Sequence, residues 1–166
     1  MDEALIAYAT KHGSTHEIAD FVAARLAEVG VEAHTLPAHS VRSLDEYQAV
    51  VLGAPLYMGR WHHDARAFLR RFRSELATRP LAVFALGPVE DKPEQWEGAA
   101  KQLYKALAHV PGVEPVTVEV FGGAIVPETL HFPFSHVAAG DLRDWDAIRT
   151  WAEHLPDKLG LGVVAA

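Results

Sequence analysis

Three hydroxyls and one glycine stand close together near the start of the chain, in Thr10-Lys11-His12-Gly13-Ser14-Thr15. Gly13 permits a tight turn that points backbone N–H groups inward, and the hydroxyls of Thr10, Ser14 and Thr15 can donate to the same point. Such a set suits an anion. Charge-assisted hydrogen bonds of about 1.5–3 kcal/mol each would let a handful of them hold one phosphate monoester without an arginine. The same residues fit a plain helix cap at Ser14 or Thr15 and a plain turn at Gly13 equally well. Two further stretches carry chemistry. Ala54-Pro55-Leu56-Tyr57-Met58-Gly59-Arg60-Trp61-His62 concentrates large apolar groups in what reads as a loop, either a surface for a flat ring or a plug on the core. Gly87-Pro88-Val89-Glu90-Asp91 offers backbone groups and two carboxylates.

The elements that must position these stretches follow from periodicity. Ala4–Ala9 is an apolar run too short for a helix, and after the first loop Ile18, Phe21, Val22, Leu26 and Val29 recur at helical spacing. The helix therefore starts where the loop ends, with its unpaired N–H groups and positive dipole end at the hydroxyls. Val31–Leu36, Val50–Leu52, Leu81–Leu86 and Val116–Phe121 read as further strands. Between them, Ala65, Phe68, Leu69, Phe72 and Leu76 mark one helix, and Trp96, Ala100, Leu103, Leu107 and Val110, after Pro93, mark another. Gly122–Asp141 shows no helical period and reads as a long loop; Trp145, Ile148, Ala152, Leu155 and Leu159 give a last helix, capped by Asp144. Five strands alternating with helices imply an α/β fold with a parallel sheet covered on both faces, and a ligand site beyond the carboxyl ends of the strands. The three chemistry-bearing loops meet there. A ligand with a phosphate at one end and a large flat ring at the other fits them.

Composition narrows the function classes. The chain has 166 residues, 49% of them hydrophobic, which suits one domain spanning 1–166. Without cysteine it has no thiol nucleophile, disulfide or iron–sulfur ligand, so redox chemistry requires a bound cofactor. A net charge of −7 disfavours nucleic acid and anionic lipid, no apolar run is long enough for a membrane span, and the N-terminus lacks a signal pattern, so a cytoplasmic location is expected. Nothing indicates an oligomeric state. Ten histidines include the pairs His12/His16 and His62/His63, but no third ligand stands at a recognisable spacing, and no metal site is expected. G-x-G-x-x-G, G-K-[ST] and nucleophile-elbow motifs are missing.

The pattern Thr10-x-x-Gly13-x-Thr15 within this layout resembles the flavodoxin superfamily, a three-layer sandwich with a five-stranded parallel sheet of order 2-1-3-4-5 and FMN between three loops. ATKHGSTHEIA, GAPLYMGRWH and DWDAIRTWAEHL, in that order, resemble its menaquinone-dependent protoporphyrinogen oxidase branch. The resemblance implies that Thr10, Lys11, His12, Gly13, Ser14 and Thr15 hold the FMN phosphate. It further implies that Pro55, Leu56, Tyr57, Met58 and Gly59 line one side of the ring, and Gly87, Pro88, Val89, Glu90 and Asp91 the other. Trp61 and His62 correspond to an aromatic–His pair at the mouth, where a substrate would stack. Unlike that branch, Gly122–Asp141 carries Phe132 and Phe134 but no Lys or Arg. No side chain is assigned as a catalyst. Three functions stay open: an FMN oxidoreductase acting on a porphyrinogen or quinone, a soluble FMN electron carrier docking on a redox partner protein, and a flavodoxin-shaped protein without FMN that acts by contact.

Overall fold

The computed structural model describes residues 2–11, 13–125 and 140–162. Strands β1 (Glu3–Tyr8), β2 (Glu32–Pro37), β3 (Ala49–Tyr57), β5 (Leu81–Leu86) and β6 (Thr117–Phe121) form a parallel sheet in the order β2-β1-β3-β5-β6. This is the expected layout. The sheet gains a sixth member in β4 (Arg60–Trp61), which folds back antiparallel on β3. Helices α1 (Ser14–Glu28) and α5 (Trp145–Lys158) cover one face; α2 (His63–Arg71), α3 (Arg73–Leu76) and α4 (Pro93–Ala108) cover the other.

Period-two alternation along the strands supplies both cores. Leu5 and Ala7 of β1 join Val50, Leu52, Val83, Phe68 and Leu103 on one face, while Ala4, Ile6 and Tyr8 join Val51, Phe84, Ile18, Leu26 and Ile148 on the other. Gly53 of β3 lies under the Phe84 ring, where an added Cβ would overlap it. Trp151 presents its edge to Phe84 and Phe121 at centroid distances of 5.7 and 5.6 Å, and Trp145 does the same to Phe21 at 5.3 Å. Both tryptophans are packing residues, Trp145 as its place on the helical stripe predicts.

Three local expectations are corrected. The stretch from Ala54 is not a loop: β3 runs on to Tyr57, because Ala54 and Pro55 stay in register beside Ala85 and Leu86 of β5. On α4 Leu103 and Leu107, with Val110 just after it, are buried as expected, but Ala99 takes the place of Ala100, and Trp96 turns outward to donate its Nε1–H to Asp91 at 2.9 Å. Part of the long segment after β6 is ordered pairing, since β7 (Ala124–Ile125) and β8 (Gly140–Asp141) form an antiparallel pair; residues 126–139, with Phe132 and Phe134, lie outside the described residues. Among the described residues no helix is long and apolar enough to cross a membrane.

Candidate functional site

The loop between β1 and α1 leaves hydrogen-bond capacity unmet. Gly13 is the N-cap of α1 at φ 90°, a left-handed conformation open to glycine, and no side chain caps the helix. The plain reading of Ser14 or Thr15 as caps is therefore not what the chain does. The Thr10 Oγ1 accepts the Gly13 N–H at 2.8 Å and tightens the turn. Thr15 is fully buried, yet among the described residues its hydroxyl has no hydrogen-bond partner. A buried hydroxyl without a partner costs about 1–3 kcal/mol, and here it stands beside the positive end of a helix of 15 residues. An anion would satisfy both. His12 lies outside the described residues.

A cleft of about 510 Å³ opens beside this loop. Lys11 and Ser14 line it at the loop end, Pro55, Leu56, Tyr57, Met58 and Gly59 form one wall, and Gly87, Pro88 and Val89 form the opposite one. Lys11 reaches across, its Nζ 3.7 Å from the centre of the Tyr57 ring. Met58 and Gly59 form a two-residue hairpin turn between β3 and β4, with φ of 52° and 78°, and the Met58 side chain is 74% exposed. A methionine in the left-handed region is strained, and its exposed side chain stands at the rim of the cleft.

Several predicted site residues lie elsewhere. Trp61 is 1% exposed, packed in the core beneath the hairpin, and its Nε1–H donates to the Ala54 carbonyl at 3.0 Å. It is a nail, not a stacking surface at the mouth, because closing the hairpin drives its ring inward. His62 is the N-cap of α2, its Nδ1 accepting the Asp64 N–H at 3.0 Å. Burial lowers its pKa, with His63, Lys11 and Arg66 adding to the effect against the opposing pull of Asp64. Glu90 does not line the cleft; it points to solvent and pairs with Lys92 at 2.8 Å, which lowers the Glu90 pKa. Asp91 turns to Trp96 and lines a separate groove between β6 and α5.

Two contributors escape the sequence reading. The α4 face formed by Gln95, Gly98, Ala99 and Gln102 closes the far side of the cleft, and its signal was a small and polar stripe at helical spacing where an apolar one was sought. Arg143 stands behind the first loop with a side chain 9% exposed, donating to the Ser14 carbonyl at 3.3 Å, to Glu17 at 3.0 Å and to Asp141 at 2.9 Å. Its hydrogen bond to Asp141 leads the forces that raise its own pKa and lower that of Asp141. Nothing in local sequence couples residues 129 positions apart.

Comparison with known proteins places this arrangement. The chain is 31% identical over 93 residues to the protoporphyrinogen IX dehydrogenase [quinone] of Escherichia coli strain K12, an alignment covering 55% of this chain and 51% of that protein. It thus spans about half the length of the curated relatives it matches. Among solved structures, oxidised flavodoxin 1 from Bacillus cereus superimposes with a TM-score of 0.60 at 17% identity, covering 96% of this chain and 97% of its own. A short-chain flavodoxin associated with a non-canonical PDU bacterial microcompartment reaches 0.65 at 17% identity, with 96% and 97% covered. These structures share the fold. The family model for the flavodoxin domain matches residues 5–133, from the first strand through both walls of the cleft, and the chain belongs to that flavodoxin-domain family.

Proposed function

We propose that this chain binds FMN in the cleft and acts as an FMN-dependent oxidoreductase on a porphyrinogen or quinone, the type of reaction that the name of its Escherichia coli relative describes. The buried, unpartnered Thr15 hydroxyl at the uncapped start of α1 is the observation that carries the reading. It is the site's demand for an anion. Thr10 shapes the turn, Gly13 supplies the left-handed residue, and Ser14, Thr15 and the first N–H groups of α1 donate to the phosphate, with Lys11 beside it. Pro55–Gly59 and Gly87–Val89 hold the ring from two sides, and Lys11 over Tyr57 joins the phosphate end to the ring end.

When bound, FMN supplies the redox chemistry, and the protein determines binding, orientation and access. Leu56, Pro88 and Val89 would exclude water from the ring, and Gln95 and Gln102 of α4 would face it from the far side of the cleft. No side chain in the cleft is required as a proton donor. The residues thus fit the group without an arginine on the phosphate.

Incubating the protein with FMN, desalting it and recording an absorption spectrum tests the reading. Retained flavin bands at one equivalent are the expected result, followed by turnover with porphyrinogen or quinone. A protein that stays colourless and does not quench flavin fluorescence overturns it. The electron-carrier function rests on the net charge of −7, which favours docking on a basic protein, and would show as reduction by a reductase without turnover of either small molecule.

A further inference from the structure

Lys11 leaves the main chain in the β1–α1 loop, at the phosphate end of the cleft, yet its side chain runs toward the other end. Its Nζ stands 3.7 Å from the centre of the Tyr57 ring, and Tyr57 is the last residue of β3, in the wall that leads to the turn at Met58 and Gly59. The ammonium is also felt at His62, the N-cap of α2 at the base of the hairpin: burial leads in lowering the His62 pKa, and Lys11 adds to it. Among the described residues no carboxylate pairs with Lys11. The two carboxylates that the sequence sets beside the ring turn away, Glu90 to Lys92 and Asp91 to Trp96. Of the described residues lining the cleft, only Lys11 and Glu94 carry a charge, and Glu94 is exposed in the first turn of α4, on the far side.

We propose that Lys11 serves the ring end of the cleft and not the phosphate, its ammonium, held at the Tyr57 wall, favouring reduced over oxidised flavin. The inference rests on the reading that FMN fills the cleft. A cation over an aromatic face gains about 0.5–2 kcal/mol, which anchors the ammonium at the wall. The phosphate has its own donors in the first N–H groups of α1 and the loop hydroxyls, whereas no other cation lines the walls. Full reduction leaves negative charge on the flavin ring above neutral pH, and a cation at the wall stabilises that charge more than it stabilises the neutral oxidised ring. Lys11 thereby makes bound flavin a better electron acceptor. That direction suits removal of electrons from a porphyrinogen and opposes a low-potential carrier.

The test compares the parent with Lys11→Met, which keeps the length of the side chain and removes its charge. Fluorescence quenching gives the Kd of oxidised FMN, a redox titration gives the two-electron midpoint potential of bound FMN, and together they give the Kd of the reduced form. In Lys11→Met the reduced form should lose about tenfold more affinity than the oxidised form, a fall in potential of about 30 mV. Lys11→Arg, which restores the charge and stacks on an aromatic face, should return the ratio to within about twofold of the parent. Arg60→Gln removes an exposed cation of β4 that does not line the cleft, and should change the ratio by less than about twofold. Equal losses of both forms in Lys11→Met make Lys11 a phosphate ligand and overturn the proposal. So does an effect of Arg60→Gln as large as that of Lys11→Met, which would be the net charge of the chain at work. Both of those outcomes leave FMN binding intact, whereas a parent that binds no FMN overturns this inference together with the reading beneath it. Lys11 is exposed, so its variants keep the fold, which a thermal melt checks.

Discussion

The two edges of the cleft are built on opposite principles. At the β1–α1 loop, polar capacity exceeds what the protein uses: the Thr15 hydroxyl is buried without a partner and α1 begins without a side-chain cap. At the β3–β4 hairpin the polar groups at its base are paired internally, with Trp61 driven into the core, its Nε1–H on Ala54, and the His62 N–H on the Pro55 carbonyl at 3.0 Å. An edge with unmet hydrogen bonds is specified by what it binds. An edge with none unmet is specified by the fold, and it offers a ligand shape and apolar surface only.

Substitutions can break this contrast, and the largest effect belongs to the satisfied edge. Trp61→Ala should cost about 3–5 kcal/mol in chemical denaturation, because it opens a cavity under the hairpin and removes the indole hydrogen bond to the Ala54 carbonyl. Retained stability would show that the hairpin is held from elsewhere. On the unsatisfied edge, Thr15→Val removes the orphan hydroxyl at nearly constant volume. FMN affinity, read by fluorescence quenching, should fall about tenfold to a hundredfold, matching 1.5–3 kcal/mol for a charge-assisted bond, while the flavin-free protein keeps or gains stability. A destabilised flavin-free variant with unchanged affinity would make Thr15 a structural residue.

Smaller effects sharpen the same contrast. Arg143→Gln should cost about 1 kcal/mol at pH 7, since its Glu17 and Asp141 partners are half exposed or more. The sign with pH follows from Asp141: a carboxylate whose pKa is lowered in the folded state stabilises above its usual pKa and loses that contribution as pH falls through the folded value. The gap between Arg143→Gln and the parent should thus narrow in acid denaturation below about pH 4. A constant gap would assign the effect to packing on Trp145, whose ring centre lies 5.2 Å from the guanidinium. Met58→Asn should raise the melting temperature slightly, by relieving a few tenths of a kcal/mol at a positive φ that asparagine tolerates. Glu90→Gln should leave the flavin potential nearly unchanged, because the carboxylate is solvent-exposed and paired with Lys92. A large shift would return Glu90 to the ring.

The alternation of Ala4–Ala9, Val50–Leu52 and Leu81–Leu86 with helical stripes made the parallel sheet legible, because strand and helix periods are local properties of the chain, while its strand order came only from the flavodoxin resemblance. The position of the cleft was legible for the same reason, since parallel strands bring their carboxyl ends, and the loops after them, to one edge of the sheet. Trp61 and Tyr57 could not be told apart in this way. Both are large aromatics in one short stretch, and only the turn at Met58 and Gly59 with the pairing of Leu56 to Trp61 sends one ring inward.

By itself, then, the sequence determined the α/β layering, the hydroxyl–glycine loop on the first helix and the three segments around the cleft, because each rests on spacing within a few residues. Tertiary structure decided that Thr15 is sealed without a partner, that Arg143 backs the loop, that α4 turns Gln95 and Gln102 to the cleft, and that Lys11 reaches the Tyr57 ring. Each of these depends on chain segments meeting across the sheet or on a helix's rotation about its axis, and no local pattern of residues encodes either.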